Sequence, residues 1–450
     1  MAAAILVAAL AVRVAYVQHA PFKAVNDAGT YNRLASNVAQ TGDYDTGSRP
    51  GSGAGGSRGP TAYFPPGFPY FLAVADLIDG HASGHKPALH GERIEQALAG
   101  TAAVGLLGLV ALELLGPAAA LVAMALAAGY PVLIEQTGTL IAENLLVVLE
   151  LAAVWTGLRA RRSAHPYRWI AATGALTGLA TLTHQNAILL VLPLGVAVWS
   201  AGPRARGVAL LVICTAAMIA PWTIRNAVEL HRFVPVSDET GVTLVGTYNR
   251  YSAANQTIPY KWRFFWDIPS DRHLVKTAGR YTEPELDSRL QSQALGYIGD
   301  HPAAPLSAGW HNLVRMLELE GAPAWQASAA AIGLHIDVAH VGVIAFWVVA
   351  ALALAGVPTR RAREVPRWVW AIPVLLALSV VFINVETPRF REPIEPFVVL
   401  LAACTVTRVG EMALAGRLGS VLGGAPVRRR RRAPELPGHA QGVEMVQRLA

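Results

Sequence analysis

The chain has 450 residues, of which 53% are hydrophobic and only 15% charged, where a soluble protein of this size carries about 25% charged residues. That balance excludes a soluble globular protein and gives the class as an integral membrane protein. The net charge of +7 does not mark a nucleic-acid binder, because the basic residues bunch between hydrophobic segments and in the run Arg428–Arg432, as in cytoplasmic loops and tails.

In chain order, the first apolar segment runs from Ala2 to about Val17. It is short, holds Arg13 and lacks the basic flank of a signal peptide, so it reads as a small N-terminal span. An outside loop, 19–93, follows. It contains KAVNDAGTYNRLA, where Asp27 heads a half-apolar helix with Leu34, Ala35 and Val38 on one face and Asn32, Arg33 and Gln40 on the other. Next come a Gly/Ser/Arg-rich insert, GSRPGSGAGGSRGP at 47–60, and the segment FPYFLAVADLI. The first reads as a flexible linker. The second is an interfacial helix too short to span.

Further spans are expected at about 95–115, 117–134, 140–158, 169–183, 187–201 and 208–222, then at 337–357, 368–384 and 394–410. The expected fold is therefore an all-α membrane protein with about ten transmembrane helices. With both termini cytoplasmic, the inner connections become RARRSAHPYR, GPRARG, PTRRAREVPR and the basic tail, in line with the positive-inside bias. The loop VETPRFREP, 385–393, is the exception, with two outside arginines. The organisation expected is an N-terminal catalytic module, 1–222, an extracytoplasmic region, 223–336, C-terminal helices, 337–410, and a basic cytoplasmic tail, 411–450. In the outer region RFVPVSDETGVTLVG alternates in polarity like a strand pair turning at Asp238-Glu239. The helical pattern EPELDSRLQSQALGYIGDHP follows, which gives a mixed extracytoplasmic region.

Three kinds of residue could carry chemistry at the outer surface. Asp27 can cap its helix, or act as a general base in a cleft at the membrane edge. Glu143, in IAENLL, stands one turn inside the fourth span. It either faces a partner or cavity or is a first-turn glutamate favoured by the helix dipole. Glu135 is a weaker candidate, while Glu113 and Glu150 read as packing or interhelical hydrogen-bonding residues. Arg225, Arg389 and Arg391 lie at outer span ends, where they could clamp phosphate or snorkel. His184, in THQN, could bind a metal, donate to phosphate or sit at the interface. The aromatic residues of KWRFFWD (Trp262, Phe264, Phe265, Trp266) could stack on a sugar or anchor in the headgroup belt. Both cysteines, Cys214 and Cys404, sit in apolar runs, which leaves no disulfide framework or thiolate metal site.

From about residue 10 to 405, an ordered set of segments resembles the GT-C superfamily of polytopic glycosyltransferases. The resemblance is to the bacterial branch related to protein O-mannosyltransferases and lipid A aminoarabinose transferases. The segments are NDAGTYNRLASNVAQTGDY, YFPPGFPYFL, GYPVLIEQTGTLIAENLL, GALTGLATLTHQN, APWTIRNAVELHRFVPVSDETGVTLVGTYN, YIGDHP and ETPRFREPIEPFVVLLAA. The resemblance implies a bacterial plasma-membrane enzyme that transfers a sugar from a polyprenyl-phosphate donor to a lipid, glycan or protein acceptor outside. It implies a catalytic aspartate at Asp27, and at Glu143 a residue positioning the acceptor or a divalent metal. Arg225, Arg389 and Arg391 are the implied holders of the lipid phosphate, with His184 beside them. The chain departs from the pattern at Asn26 and Ala28, where many relatives have a second acidic residue, and at Thr183-His184-Gln185, where Thr-Arg-Pro is common.

On this reading a carboxylate takes the acceptor proton while arginines stabilise the departing phosphate. The competing classes are a lipid or sugar transporter, which would place its polar residues near the bilayer midplane, and a catalytically silent scaffold for envelope assembly.

Overall fold

The computed structural model describes residues 1–45, 59–78, 89–202 and 204–422, with side chains to 415. The Gly/Ser/Arg-rich insert lies almost wholly outside the described residues, as does the arginine run 428–432. The chain divides into a unit of residues 1–407 and a second of 408–450, whose described part is the end of a helix.

Helices of the first unit, with short turns left unnumbered, begin with α1 (Ala2–His19), α2 (Asn26–Thr41), α3 (Gly67–Ile78), α4 (Leu89–Leu115), α5 (Pro117–Gly129) and α6 (Pro131–Thr137). They continue with α7 (Glu143–Ala160), α8 (Pro166–Thr183), α9 (Val191–Ser200), α10 (Arg204–Glu229) and α11 (Thr240–Thr247). The last are α12 (Glu283–Asp300), α13 (Ala304–Met316), α14 (Ala322–Ala331), α15 (Ile336–Gly356), α16 (Arg367–Val381) and α17 (Glu395–Leu422), which runs on into the second unit.

Among the described residues, five helical stretches are long and apolar enough to cross a membrane: α1, α4, α10, α15 and Arg389–Ala415. The pair α5–α6, bent by 56° at Tyr130, makes a sixth if taken as one span. The other expected spans are helical too, but α7, α8, α9 and α16 fall short of that test in length, hydropathy or charge. The protein is thus an all-helical, multi-pass membrane protein.

Two large apolar cores hold it together. One joins the span helices, with Leu107, Leu151, Ile170, Leu194 and Val399 at its centre. In the other, Tyr31, Leu34, Phe68, Val245, Phe265 and Leu290 meet.

The strand pair expected at 232–246 is absent; among the described residues no strand forms, and one isolated bridge joins Asp45 to Pro60. Thr240–Thr247 is instead helix α11, burying Gly241, Val242, Val245 and Gly246. That i, i+1, i+4, i+5 stripe is helical, and α11 lays it against α12. Asp287 of α12 fixes the start, its Oδ1 accepting from Gly241 N at 2.5 Å and Val242 N at 3.3 Å. A cap supplied from another helix is invisible to local alternation. Residues 223–336, expected to be a mixed extracytoplasmic region, are therefore helical rather than mixed.

Candidate active site

Helix α2 presents Asp27 by an unusual start. Asn26 has φ +49°, a left-handed conformation that asparagine tolerates better than most residues. Its Nδ2 donates to Ala331 O at 2.9 Å, which secures the turn. No side chain caps this helix at its N-cap, Val25, so capping does not account for Asp27. The buried face carries Ala28, Tyr31, Leu34 and Ala35, close to the expected stripe. Asn32 leaves its expected polar face and is buried, donating to Glu92 Oε2 at 2.6 Å.

Glu143 is held at the head of α7 by polar residues of α4. Gln96 Nε2 donates to Thr139 O at 3.3 Å and Ile141 O at 3.0 Å, and Asn144 Nδ2 donates to Gln96 Oε1 at 2.8 Å. The loop before α7 thereby hangs from α4, and Glu143 sits 1% exposed.

The third member comes from the chain's far end. Arg389 lies in the 3₁₀ turn Arg389–Ile394 before α17. Its Nε donates to Glu143 Oε1 at 2.6 Å and its Nη1 to Asp27 Oδ2 at 2.5 Å. His184 Nε2 lies 3.9 Å from the same Glu143 oxygen. Glu143 Oε2 is buried and makes no hydrogen bond within the described residues. One guanidinium thus joins two carboxylates that are far apart in sequence, with side-chain exposures of 29% at Asp27 and 1% at Glu143.

Asp27 and Arg389 border a cavity of about 170 Å³ whose polar lining also includes His184, Gln185, Glu239 and Glu386, and Glu143 stands behind Arg389, outside that lining. Tyr31, Tyr63, Trp262 and Phe390 form aromatic walls. The close approach of α3 to the end of α8 closes one side: a Cβ on Gly67 would lie 2.6 Å from Thr183 Oγ1 and 2.9 Å from Leu182 O. Only glycine lets that approach stand.

The other expected arginines stand elsewhere. Arg225 donates to Thr61 O at 2.7 Å and Tyr44 O at 2.8 Å, and lies 4.8 Å over the Trp222 ring. It lines a separate cleft with Asp43, Tyr70 and Glu229. Arg391 is buried, bonded to Glu395 Oε1 at 2.5 Å, Glu318 Oε1 at 3.0 Å and Met316 O at 2.8 Å. Alternate positions in the turn aim Arg389 at the cavity and Arg391 into the helix core. Of the three, Arg389 alone lines the cavity.

Among the remaining candidates, Glu113 is paired with Arg159 at 3.2 Å and with Arg162. Glu135 and Glu150 are buried outside the cavity lining. Of KWRFFWD, Trp262 reaches the cavity, Phe265 joins the second apolar core, and Phe264 stacks on Trp266 at 4.3 Å.

Among the described residues no group of three or more His, Cys, Asp or Glu side chains is arranged to hold a metal ion. The Arg389 guanidinium already lies between Asp27 and Glu143, so this donor set, as arranged, does not fit a divalent cation.

Sequence reasoning missed Glu239 and Glu386 as cavity residues. Both stood in segments singled out for other reasons, Glu239 as a hairpin turn and Glu386 as a neighbour of the outside arginines. Two adjacent acids, Asp238 and Glu239, in an otherwise apolar outer segment were the signal available. Burial first, then the Asp27 carboxylate, pushes Glu239 up to about 8, with Arg389 acting the other way and Asp287 and Glu143 adding smaller upward effects.

Comparison with known proteins comes next. A family model described as dolichyl-phosphate-mannose-protein mannosyltransferase matches residues 64–224, short of half the chain. That segment includes Glu143 and His184 but neither Asp27 nor Arg389. No curated protein matches. Among solved structures, the archaeal oligosaccharyltransferase AglB of Archaeoglobus fulgidus, in complex with an inhibitory peptide and a dolichol-phosphate, aligns at 15% identity and a TM-score of 0.53. The match covers 94% of this chain and 52% of that one. The apo form of the A. fulgidus enzyme aligns at 17% identity and a TM-score of 0.53, with the same coverage. The chain thus spans about half the length of these neighbours, and at such identities they show the fold alone. ArnT of Cupriavidus metallidurans bound to undecaprenyl phosphate aligns at 18% identity over 97% of this chain and 81% of that one, with a TM-score of 0.41, too low to carry an argument. The chain is thus similar over residues 64–224 to the dolichyl-phosphate-mannose-protein mannosyltransferases, and it shares its fold with about half of an archaeal oligosaccharyltransferase structure.

Proposed function

We propose that the protein is a glycosyltransferase that moves a sugar from a polyprenyl-phosphate carrier to an acceptor hydroxyl at the extracytoplasmic face. The observation that carries this reading is the Asp27–Arg389 ion pair on the wall of one cavity, with Glu143 holding Arg389 from behind. A polyprenyl tail is most stable in the bilayer, so its sugar phosphate must be met at the membrane surface. A suitable groove adjoins the cavity. Ile188, Leu192, Val212, Ala216, Ile219 and Ile224 line an almost wholly apolar cleft of about 600 Å³ between α9 and α10. The turn Gln185–Leu190 connects the two, since its first residues face the cavity and Ile188 and Leu189 face the groove.

In the reaction, the acceptor oxygen bonds to the anomeric carbon as the bond from that carbon to the phosphate oxygen breaks. The electron pair leaves on the phosphate, and Arg389, with His184 beside it, stabilises the growing charge in a site of low dielectric. Glu143 holds Arg389 in place from the buried side. Asp27, tied to Arg389 through one oxygen and partly exposed, engages the acceptor hydroxyl. Arg225 and Arg391 take structural places in this scheme, because their donors are spent on carbonyls and buried carboxylates. The related mannosyltransferase model makes mannose the first sugar to try. The test is release of polyprenyl phosphate from a panel of polyprenyl-phosphate sugars by purified protein in lipid nanodiscs. A panel left intact in the presence of hydroxyl acceptors would sink the reading.

A further inference from the structure

We propose that Glu239 is the general base of the transfer, and that Asp27 orients the acceptor hydroxyl and anchors Arg389. This deepens the glycosyltransferase reading and rests on it.

The two carboxylates are held differently. Asp27 Oδ2 is bound at 2.5 Å by a guanidinium N–H, so that oxygen is already engaged as an acceptor. Glu239 faces the same cavity, and its closest side-chain partner is the neutral Gln185 amide, Nε2 to Oε1 at 3.4 Å. No cation pairs with it at salt-bridge distance among the described residues.

The residue is also freed from the job its position suggests. Glu239 stands immediately before α11, where an acidic side chain commonly caps the helix, yet its side chain makes no cap bond. Asp287 serves those backbone amides from α12 instead. The segment just before Glu239 is pinned: Trp222 Nε1 donates to Val236 O at 2.7 Å, Ser237 Oγ to Gln185 Oε1 at 2.9 Å, and Asp238 N to Ala62 O at 3.1 Å. A carboxylate held on a rigid support, half-buried and without a cation, is what proton abstraction in a closed site needs.

The charged and titratable groups around Glu239 come from every neighbouring element. Asp27 and Tyr31 face it from α2, and Tyr63 from the first outside loop. His184 stands at the end of α8, Glu143 on α7, and Glu386 with Arg389 on the segment before α17. Asp287 and Glu283 lie on α12, and Asp238 is next in sequence. Burial and the surrounding carboxylates outweigh Arg389 and push Glu239 up to about 8, close to working pH, where a general base is most effective. In the step, the proton of the acceptor O–H passes to the Glu239 carboxylate. The oxygen then bonds to the anomeric carbon and the sugar–phosphate bond breaks, its electrons staying on the polyprenyl phosphate. No other reactant is required.

Two measurements test this. The first is the pH dependence of polyprenyl-phosphate release from polyprenyl-phosphate mannose, or from whichever donor the panel identifies. A base must be ionised, so the wild-type rate should fall as pH drops through about 8. Glu239→Gln should lose at least ~100-fold in rate and the pH limb with it, while still binding donor. Glu239→Asp should keep the limb at a reduced rate. A Glu239→Gln variant that retains most of its rate overturns the proposal, as does a wild-type limb in the ordinary carboxylate range.

The second measurement needs no turnover. Infrared difference spectra of wild type against Glu239→Gln should show a carboxylic-acid band titrating near pH 8, and a midpoint near 4–5, the usual glutamate value, also overturns it. If wild type consumes no donor at all, the glycosyltransferase reading fails, while the infrared midpoint still decides whether Glu239 holds its proton to neutral pH.

Discussion

Arg389 Nη1 lies 2.5 Å from Asp27 Oδ2, across 362 residues of sequence, and the same guanidinium reaches Glu143 through Nε. The pair joins the start of α2 to the turn before α17. Replacing Arg389 with Met should leave two carboxylates facing each other with no cation, one of them almost wholly buried. The expected cost is on the order of 3 kcal/mol of stability, read as a lower unfolding temperature in detergent. Arg389→Lys keeps the charge but loses the planar fork. It should retain more of that stability while losing about 100-fold in transfer.

Arg225 should behave in the opposite way. Its donors go to the Thr61 and Tyr44 carbonyls, and Tyr44 O keeps the Thr61 amide, so Arg225→Met leaves Thr61 O without its donor and costs about 1–3 kcal/mol. Donor affinity of the folded fraction should stay within about threefold of wild type, since the binding energy lost elsewhere would be under about 1 kcal/mol. A donor Kd that rises far more than this, with stability unchanged, would return Arg225 to the phosphate site.

The groove between α9 and α10 makes a length-dependent prediction. Ala216→Trp should fill part of the cleft lined by Ile188, Leu192 and Ile219. KM for a full-length polyprenyl donor should rise about tenfold, equivalent to losing burial of roughly two methylene groups. KM for a donor with one or two isoprene units should barely move. Equal effects on both donors would place the tail elsewhere.

The outer region should lose stability as pH rises. Burial first, then the Glu283 carboxylate, pushes Asp238 up to about 9. The folded state therefore keeps a proton that the unfolded chain releases near pH 4. Between about pH 4 and 9 the folded state binds more protons, so stability falls with rising pH across that window. Asp238→Asn should flatten the slope, measured as unfolding temperature from pH 5 to 10. A slope unchanged in Asp238→Asn would assign it to other groups.

What could be read from the sequence follows from range. Hydrophobic runs are local, so every expected span meets a helix, and the face carrying Leu34 and Ala35 follows from spacing alone. Asp27, Glu143 and Arg389 could be nominated because each is a charge at the outer end of an apolar segment. That they form one ion-paired set could not be read, because it depends on packing α2, α7 and the turn before α17 together. Arg225 and Arg391 looked equivalent to Arg389 in sequence. Their burial partners are carbonyls for one and the carboxylates of Glu318 and Glu395 for the other, and all but Glu395, four residues on, come from distant elements. Glu239 was hidden because α11 takes its cap from Asp287, and local alternation read the segment as a hairpin.

The most direct measurement of the central claim is polyprenyl-phosphate release by purified wild type and Asp27→Asn, in nanodiscs with polyprenyl-phosphate mannose and the other donors of the panel. The account expects wild type to turn over at least one donor. Asp27→Asn should be slower by about 100-fold or more, with its size-exclusion profile unchanged. Undiminished release by Asp27→Asn would contradict it, because the cavity bordered by Asp27 and Arg389 would then not be where the sugar moves.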